Sequence, residues 1–154
     1  MAGKKGDAIS VQITRKFAEI KIRPARLKRL VADICKRFGV SHALVTVILA
    51  DNVETRRINK HFLNYNRLTD CLSFDLSDED TGDKHFELVV NAEMALREAQ
   101  RRGHSGEAEV ALYIIHGLLH HFGFDDLRPS QAEIMHRTED EILRQQGYGA
   151  VYYT

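Results

Sequence analysis

The chain has no run of apolar residues near the roughly eighteen that a bilayer-spanning helix needs, so no membrane partner is expected. Its opening residues, MAGKKGDAIS, lack the apolar centre of a secretory signal, and the expectation is a cytoplasmic protein. Cysteine is scarce: only Cys35 and Cys71 occur, one on the apolar stripe of a predicted helix and one inside a predicted strand. Both read as packing residues, and no disulfide framework is implied. Net charge is absent too, with 22 Lys/Arg against 22 Asp/Glu. That zero hides a separation. Residues 1–37 hold eleven basic and three acidic residues, a net of +8, and residues 38–154 hold eleven and nineteen, a net of −8. The basic segment is a candidate phosphate-contacting surface, although a plain solvated helix face accounts for it equally well. Repeats, low-complexity tracts and internal linkers are missing, so residues 1–154 read as a single compact domain.

What the chain does have is periodicity. Ile9, Val11 and Ile13 alternate with Ser10, Gln12 and Thr14, the pattern of a half-buried strand near a sheet edge. Pro24 is placed to open a helix whose residues Leu27, Leu30, Val31, Ile34 and Phe38 follow a period of about 3.6. Gly39 closes it, and Arg26, Lys28, Arg29, Lys36 and Arg37 lie outside. Residues 43–50, ALVTVILA, are a nearly unbroken apolar run rich in β-branched residues, expected at the sheet centre and covered on both faces. Asp51 and Glu54 have the spacing of a capping pair for a short helix through Ile58 to Phe62. Residues 68–74 read as a short strand, 75–84 as an acidic loop, 86–90 as another strand, and 92–102 as a helix ended by Gly103. Ser105 can cap the next helix, with Glu107 and Glu109 in its first turn. Its expected core stripe is Ala108, Ala111, Leu112, Ile115, Leu119 and Phe122. Ser130 and Glu133 have capping-box spacing for a last helix with Ile134, Thr138, Ile142 and Leu143 inward.

The chemistry concentrates in His116-Gly117-Leu118-Leu119-His120-His121-Phe122-Gly123-Phe124-Asp125-Asp126. Four residues of α-helix turn through ~400°, so His116 and His120 leave the helix ~40° apart, one turn above the other. That is the geometry of a metal pair, and a third ligand has to come from beyond the helix, because one helical face cannot surround an ion. Gly123 suits the left-handed residue that stops a helix and turns the chain back. Asp126 can then return to the same ion, with Asp125 its rival or a partner to a ligand imidazole. His121 lies ~100° round from His120 and faces elsewhere, as a surface residue or a support to the ligands. Three N/O ligands leave a fourth position for water, which fits a catalytic centre better than a structural one. A zinc peptidase with this spacing needs Glu after the first His as general base. Gly117 holds that place and cannot relay a proton, whereas an ester or phosphodiester substrate is compatible.

His116-Gly-Leu-Leu-His120 with Gly123-Phe124-Asp125-Asp126 resembles the HGxLHxxGYDH signature of the YbeY family, the metal-dependent endoribonucleases of bacterial rRNA maturation. Further pieces match in order: Ile58-Asn59 with Phe62, Thr69 to Phe74 against the family's PTDVLSF, then Arg97-Glu98-Ala99 with Arg102-Gly103-His104-Ser105. Met135, Glu139 and Ile142-Leu143 fit the final helix, so the resemblance spans roughly residues 10–147. It implies an α/β fold of the α+β type, a small mixed sheet of about four strands packed with about five helices. It also implies one divalent ion in a cleft, Zn2+ first among the candidates, held by His116, His120 and Asp126, with His116 also among the catalytic residues. The implied substrate is single-stranded RNA, in maturation of the 3′ end of small-subunit rRNA and in ribosome quality control, with rRNA and the small ribosomal subunit as partners.

Two departures matter. Asp126 stands where the family motif ends in a third His, and it is a harder ligand. Leu63 stands where the family has the Arg expected to clamp phosphate, and Leu68 replaces a Pro. Arg67, four residues on, is the candidate catalytic replacement. The loss of that Arg sets a second expectation beside the nuclease: a ribosome assembly factor that keeps the fold and cuts RNA weakly or not at all.

Overall fold

The computed structural model of the chain describes residues 8–63 and 69–151. Its elements are β1 (Ala8–Arg15), α1 (Pro24–Arg37), β2 (His42–Ala50), α2 (Asn52–Leu63), β3 (Cys71–Asp75), β4 (His85–Asn91), α3 (Ala92–Arg102), α4 (Gly106–His121) and α5 (Pro129–Gln145). The strands form one mixed sheet in the order β1-β2-β4-β3, parallel except for β3, which runs antiparallel to β4. The four strands and five helices are those expected from the periodicity, with the alternating first strand at an edge and ALVTVILA inside the sheet.

The cover over β2 is less even than its composition implies. Val45, Val47 and Leu49 are fully buried, while Leu44, Thr46 and Ile48 on the other face are half-buried. One face packs into the main core with α1, α3, α4 and α5, and the other meets chiefly α2, where Ile58 joins Ala50, Leu72 and Val89 in a smaller cluster. The turn from β2 into α2 follows the expected cap, Glu54 N donating to Asp51 Oδ1 over 2.7 Å.

Helix α4 is capped by Ser105, whose hydroxyl accepts from Ala108 N, and it lies against β3, β4, α1, α3 and α5. The expected single stripe understates its burial. Val110, Ile114 and Leu118, on the side away from that stripe, have no solvent exposure either. A helix packed against five other elements holds His116 and His120 in a fixed frame. At Gly117 the helix touches the sheet: a Cβ there would lie 2.8 Å from Cys71 Sγ and 3.0 Å from Leu88 Cδ2, and Ser73 Oγ donates to the Gly117 carbonyl at 3.1 Å. A side chain at 117 therefore points at the sheet, so the peptidase base is excluded by geometry as well as by residue type. Gly117→Ala is expected to destabilise the fold, because overpacking of about 1–3 kcal/mol against a buried Leu88 outweighs the gain of about 1 kcal/mol in helix propensity. A urea midpoint equal to wild type would show that α4 can slide off the sheet.

Helix α5 departs from expectation in its phase. Ile134, expected inward, is 59% exposed, and the inward residues are Met135, Glu139, Asp140, Ile142 and Leu143. The helix starts on Pro129 with no side-chain cap bond, so Ser130 lies inside the first turn instead of ahead of it. Its core stripe is interrupted by the carboxylate of Glu139, which obscures the apolar period.

The basic face of α1 is partly committed to internal contacts. Arg26 Nη2 donates to Gln146 O at 2.5 Å and its guanidinium lies 4.6 Å from the Tyr148 ring centroid, while Arg37 pairs with Glu141 at 2.6 Å. Arg29 remains exposed. Both cysteines are unbridged; burial pushes the Cys35 thiol up to about 11 and raises Cys71 well above its ordinary value, as expected of packing residues. Among the described residues no helix is long and apolar enough to cross a membrane.

Candidate metal centre

The last turn of α4 ends on Phe122, and Gly123, at φ 95°, takes the left-handed conformation expected of it. The chain then doubles back, with Phe124 N donating to Leu119 O at 3.0 Å, and Asp126 returns to the helix. His116 Nε2 lies 3.2 Å from His120 Nε2 and 3.7 Å from Asp126 Oδ2, and the three ligand atoms fall within 4.8 Å of one another. Donors ~2.0–2.2 Å from a tetrahedral ion are ~3.3–3.6 Å apart, so the two shorter separations bracket that edge. The structure thus brings together His116, His120 and Asp126.

Asp125 has another job. Its Oδ1 accepts from Asp126 N at 2.7 Å and from Leu127 N at 3.3 Å, shaping the loop that presents Asp126 and touching neither ligand imidazole. His121 is half-buried and turned toward the sheet: it stacks on Phe86 at 4.6 Å, and its Nε2 lies 2.6 Å from Ser73 Oγ. Burial lowers its pKa. Arg67 lies outside the described residues.

The far nitrogens of the two ligand candidates decide the chemistry. His116 Nδ1 is 2.7 Å from Glu139 Oε2, and His120 Nδ1 is 3.1 Å from the Phe124 carbonyl. Carbonyl and carboxylate oxygens only accept, so the network assigns a proton to each Nδ1 and leaves each Nε2 with its lone pair. Two lone pairs then face each other across 3.2 Å. This arrangement calls for a cation between them, either a metal ion or, without one, an added proton. Two imidazoles and a carboxylate suit a zinc-like divalent ion.

Glu139 is fully buried, and its second oxygen lies 3.0 Å from His136 Nδ1. Burial presses the His116 pKa down, but the hydrogen bond and charge of Glu139, helped by Asp70 and Asp126, outweigh it and raise the value above the ordinary 6.5. In ion-free protein the charged His116–Glu139 pair therefore contributes stability that is complete below pH 6.5 and is lost as pH rises through the higher folded value. Thermal melts in chelator should fall in that direction, and Glu139→Gln should flatten the slope. With the ion present, the same substitution should weaken its retention by ~10–100-fold. A slope and retention equal to wild type would show that His116 draws no support from Glu139.

A cleft of about 560 Å³ opens beside the centre, with Asp70, Arg102, Tyr113 and His136 in its walls together with His116 and Asp126. Glu139 and His136 were not legible as site residues from spacing, because they reach α4 from another helix. The one available signal was a carboxylate in the middle of the α5 core stripe.

Two helix-borne imidazoles joined by a returning carboxylate, at the end of the central helix over a mixed sheet, define a class: a small α/β domain with a three-ligand candidate metal centre beside an open cleft. The family model described as Endoribonuclease YbeY matches residues 12–147. The chain belongs to the YbeY family. It is 33% identical to the Endoribonuclease YbeY of Heliobacterium modesticaldum over 115 residues, 67% of this chain and 69% of that protein. It is 30% identical to the Endoribonuclease YbeY of a Thermoanaerobacter species over 148 residues, 84% of this chain and 93% of that one. The solution structure of TM1509 from Thermotoga maritima shares the fold, with a TM-score of 0.57 at 24% identity over 88% of this chain and 90% of that one.

Proposed function

We propose that this protein is a metal-dependent endoribonuclease that cuts single-stranded RNA, acting in the cytoplasm on the 3′ end of small-subunit rRNA and in ribosome quality control. The observation that carries the metal dependence is the pair of Nε2 atoms facing each other at 3.2 Å beside Asp126 and an open cleft. The names of the relatives carry the endoribonuclease activity and favour it over a non-cutting assembly factor.

His116, His120 and Asp126 hold the ion in this reading, zinc being the first candidate. A bound divalent ion supplies an activated water and a positive centre for a phosphoryl oxygen. The chain does the rest. Glu139 and the Phe124 carbonyl orient the two imidazoles, the Asp125 turn aims Asp126, and the packing of α4 keeps the set rigid. Arg67 is proposed as the phosphate-contacting group in place of the family's Arg, where Leu63 stands.

The test is cleavage of an unstructured RNA by ion-free and then ion-reconstituted protein, with His120→Ala as control. Cleavage is expected only with both the ion and His120. Equal cleavage by the ion-free protein, or by His120→Ala, would overturn the reading.

A further inference from the structure

Arg102, the last residue of α3, is the one Lys or Arg among the described residues in the walls of the cleft beside the metal centre. Its Nη1 lies 3.5 Å from Glu109 Oε1 and its Nε 3.8 Å from Glu98 Oε1, separations of ion pairs and not of good hydrogen bonds. Glu109 has no solvent exposure. One of its oxygens is engaged by His104 Nε2, and the other, Oε1, has no hydrogen-bond donor among the described residues. The two carboxylates thus brace the guanidinium by charge while none of its N–H groups is donated to a described residue. Its side chain is 31% exposed, so those donors can meet a ligand from the cleft.

The sign of the cleft sharpens the point. Asp70, Glu98 and Asp126 line it with the buried Glu109 behind them, so among the described residues Arg102 is the Lys or Arg that offsets these carboxylates toward an incoming polyanion. The position of Arg102 separates it from the metal end. Its partner Glu109 and the ligand His116 are both on α4, seven residues apart, which at a rise of about 1.5 Å per residue puts them ~10 Å apart along the helix. That exceeds the span of one phosphate group.

We propose that Arg102 binds a backbone phosphate of single-stranded RNA flanking the one at the metal centre, forming a second phosphate subsite. The inference rests on the nuclease reading for the presence of RNA in the cleft, and a forked guanidinium is the side chain best matched to phosphate oxygens.

The experiment compares wild type, Arg102→Gln and Arg102→Lys, each with matched melting temperature, on a five-nucleotide single strand and on a dinucleotide with one phosphate. Binding of the pentanucleotide to ion-free protein is followed by anisotropy across salt concentrations, and kcat and KM are measured with the ion present. Arg102→Gln should weaken pentanucleotide binding about tenfold, the loss of one charge-assisted contact, and reduce the salt slope by about 0.7. Its kcat should stay within about twofold of wild type, dinucleotide turnover should be unchanged, and Arg102→Lys should restore the slope but only part of the affinity. A salt slope that ignores Arg102, or equal losses on both substrates, would overturn the subsite. Should Arg102→Gln fail to fold for want of a cation beside Glu109, the Lys variant decides: affinity identical to wild type overturns the forked contact. Arg102-dependent binding without wild-type cleavage would count against the nuclease reading alone, and wild-type cleavage with Arg102-independent binding against the subsite alone.

Discussion

Purified protein is expected to carry about one divalent ion per chain, and His116→Ala or His120→Ala to lose it. Each substitution removes a donor outright from a set of three. The loss should therefore exceed the ~10–100-fold cost of removing a supporting carboxylate such as Glu139. It also leaves the remaining Nε2 without the opposed lone pair that now faces it at 3.2 Å, so the site loses both a ligand and its demand for a cation. Elemental analysis after gel filtration decides the matter; full occupancy in both variants would mean that the ion sits elsewhere. Two further substitutions grade the third position. Asp126→His should strengthen zinc retention, since a neutral imidazole is a ligand zinc readily accepts. Asp125→Ala should cost less than Asp126→Ala, because Asp125 shapes the loop and does not face the ligands. The reverse order would exchange their roles.

The parts of this molecule that are legible in its sequence are those set by neighbours along the chain. Helix spacing brings His116 and His120 onto one face, Gly123 turns the chain, Ser105 caps α4 and Asp51 caps α2, and all of these depend on residues within a few positions of one another. The pairing of a long apolar run with an interior strand is legible for the same reason. What escapes is set by contacts between elements. Glu139 meets His116 across 23 positions, and its carboxylate breaks the apolar stripe that would have given the phase of α5. The extensive burial of α4 depends on how many neighbours surround it, which no periodicity along α4 itself reports. The half-open face of β2 belongs to the side of the sheet where, among the described residues, α2 brings Ile58 to a small cluster with Ala50, Leu72 and Val89. Arg102 sits in the family-like stretch Arg102-Gly103-His104-Ser105, but its place in the cleft depends on Glu109 and Glu98, and charge counting gives no hint of it.

Leu63→Arg is expected to raise RNA cleavage by ~10²-fold, and the reason is the charge that builds on the phosphate as its bond to the leaving oxygen breaks. Asp126 brings a negative charge where a third imidazole would bring none, so the centre is less electropositive by one unit than a three-histidine set. Leu63 removes a cation where the family has Arg, and loss of one such donor costs ~10²–10³-fold in kcat. Position 63 is the last residue of α2, and Thr69 and Asp70 are in the walls of the cleft. Arg102 does not make up the deficit, because it sits at the other end of the cleft. Single-turnover cleavage of unstructured RNA with the ion bound should therefore be slow in the wild type and faster in Leu63→Arg, with binding little changed. Fast wild-type cleavage that Leu63→Arg leaves unaltered would show that another cation, Arg67 first among them, already serves the scissile phosphate. Absence of cleavage in both forms, with the ion bound and ribosome binding intact, would shift the balance to an assembly factor, since a centre that still holds its ion and still fails after the cation is restored lacks more than one donor.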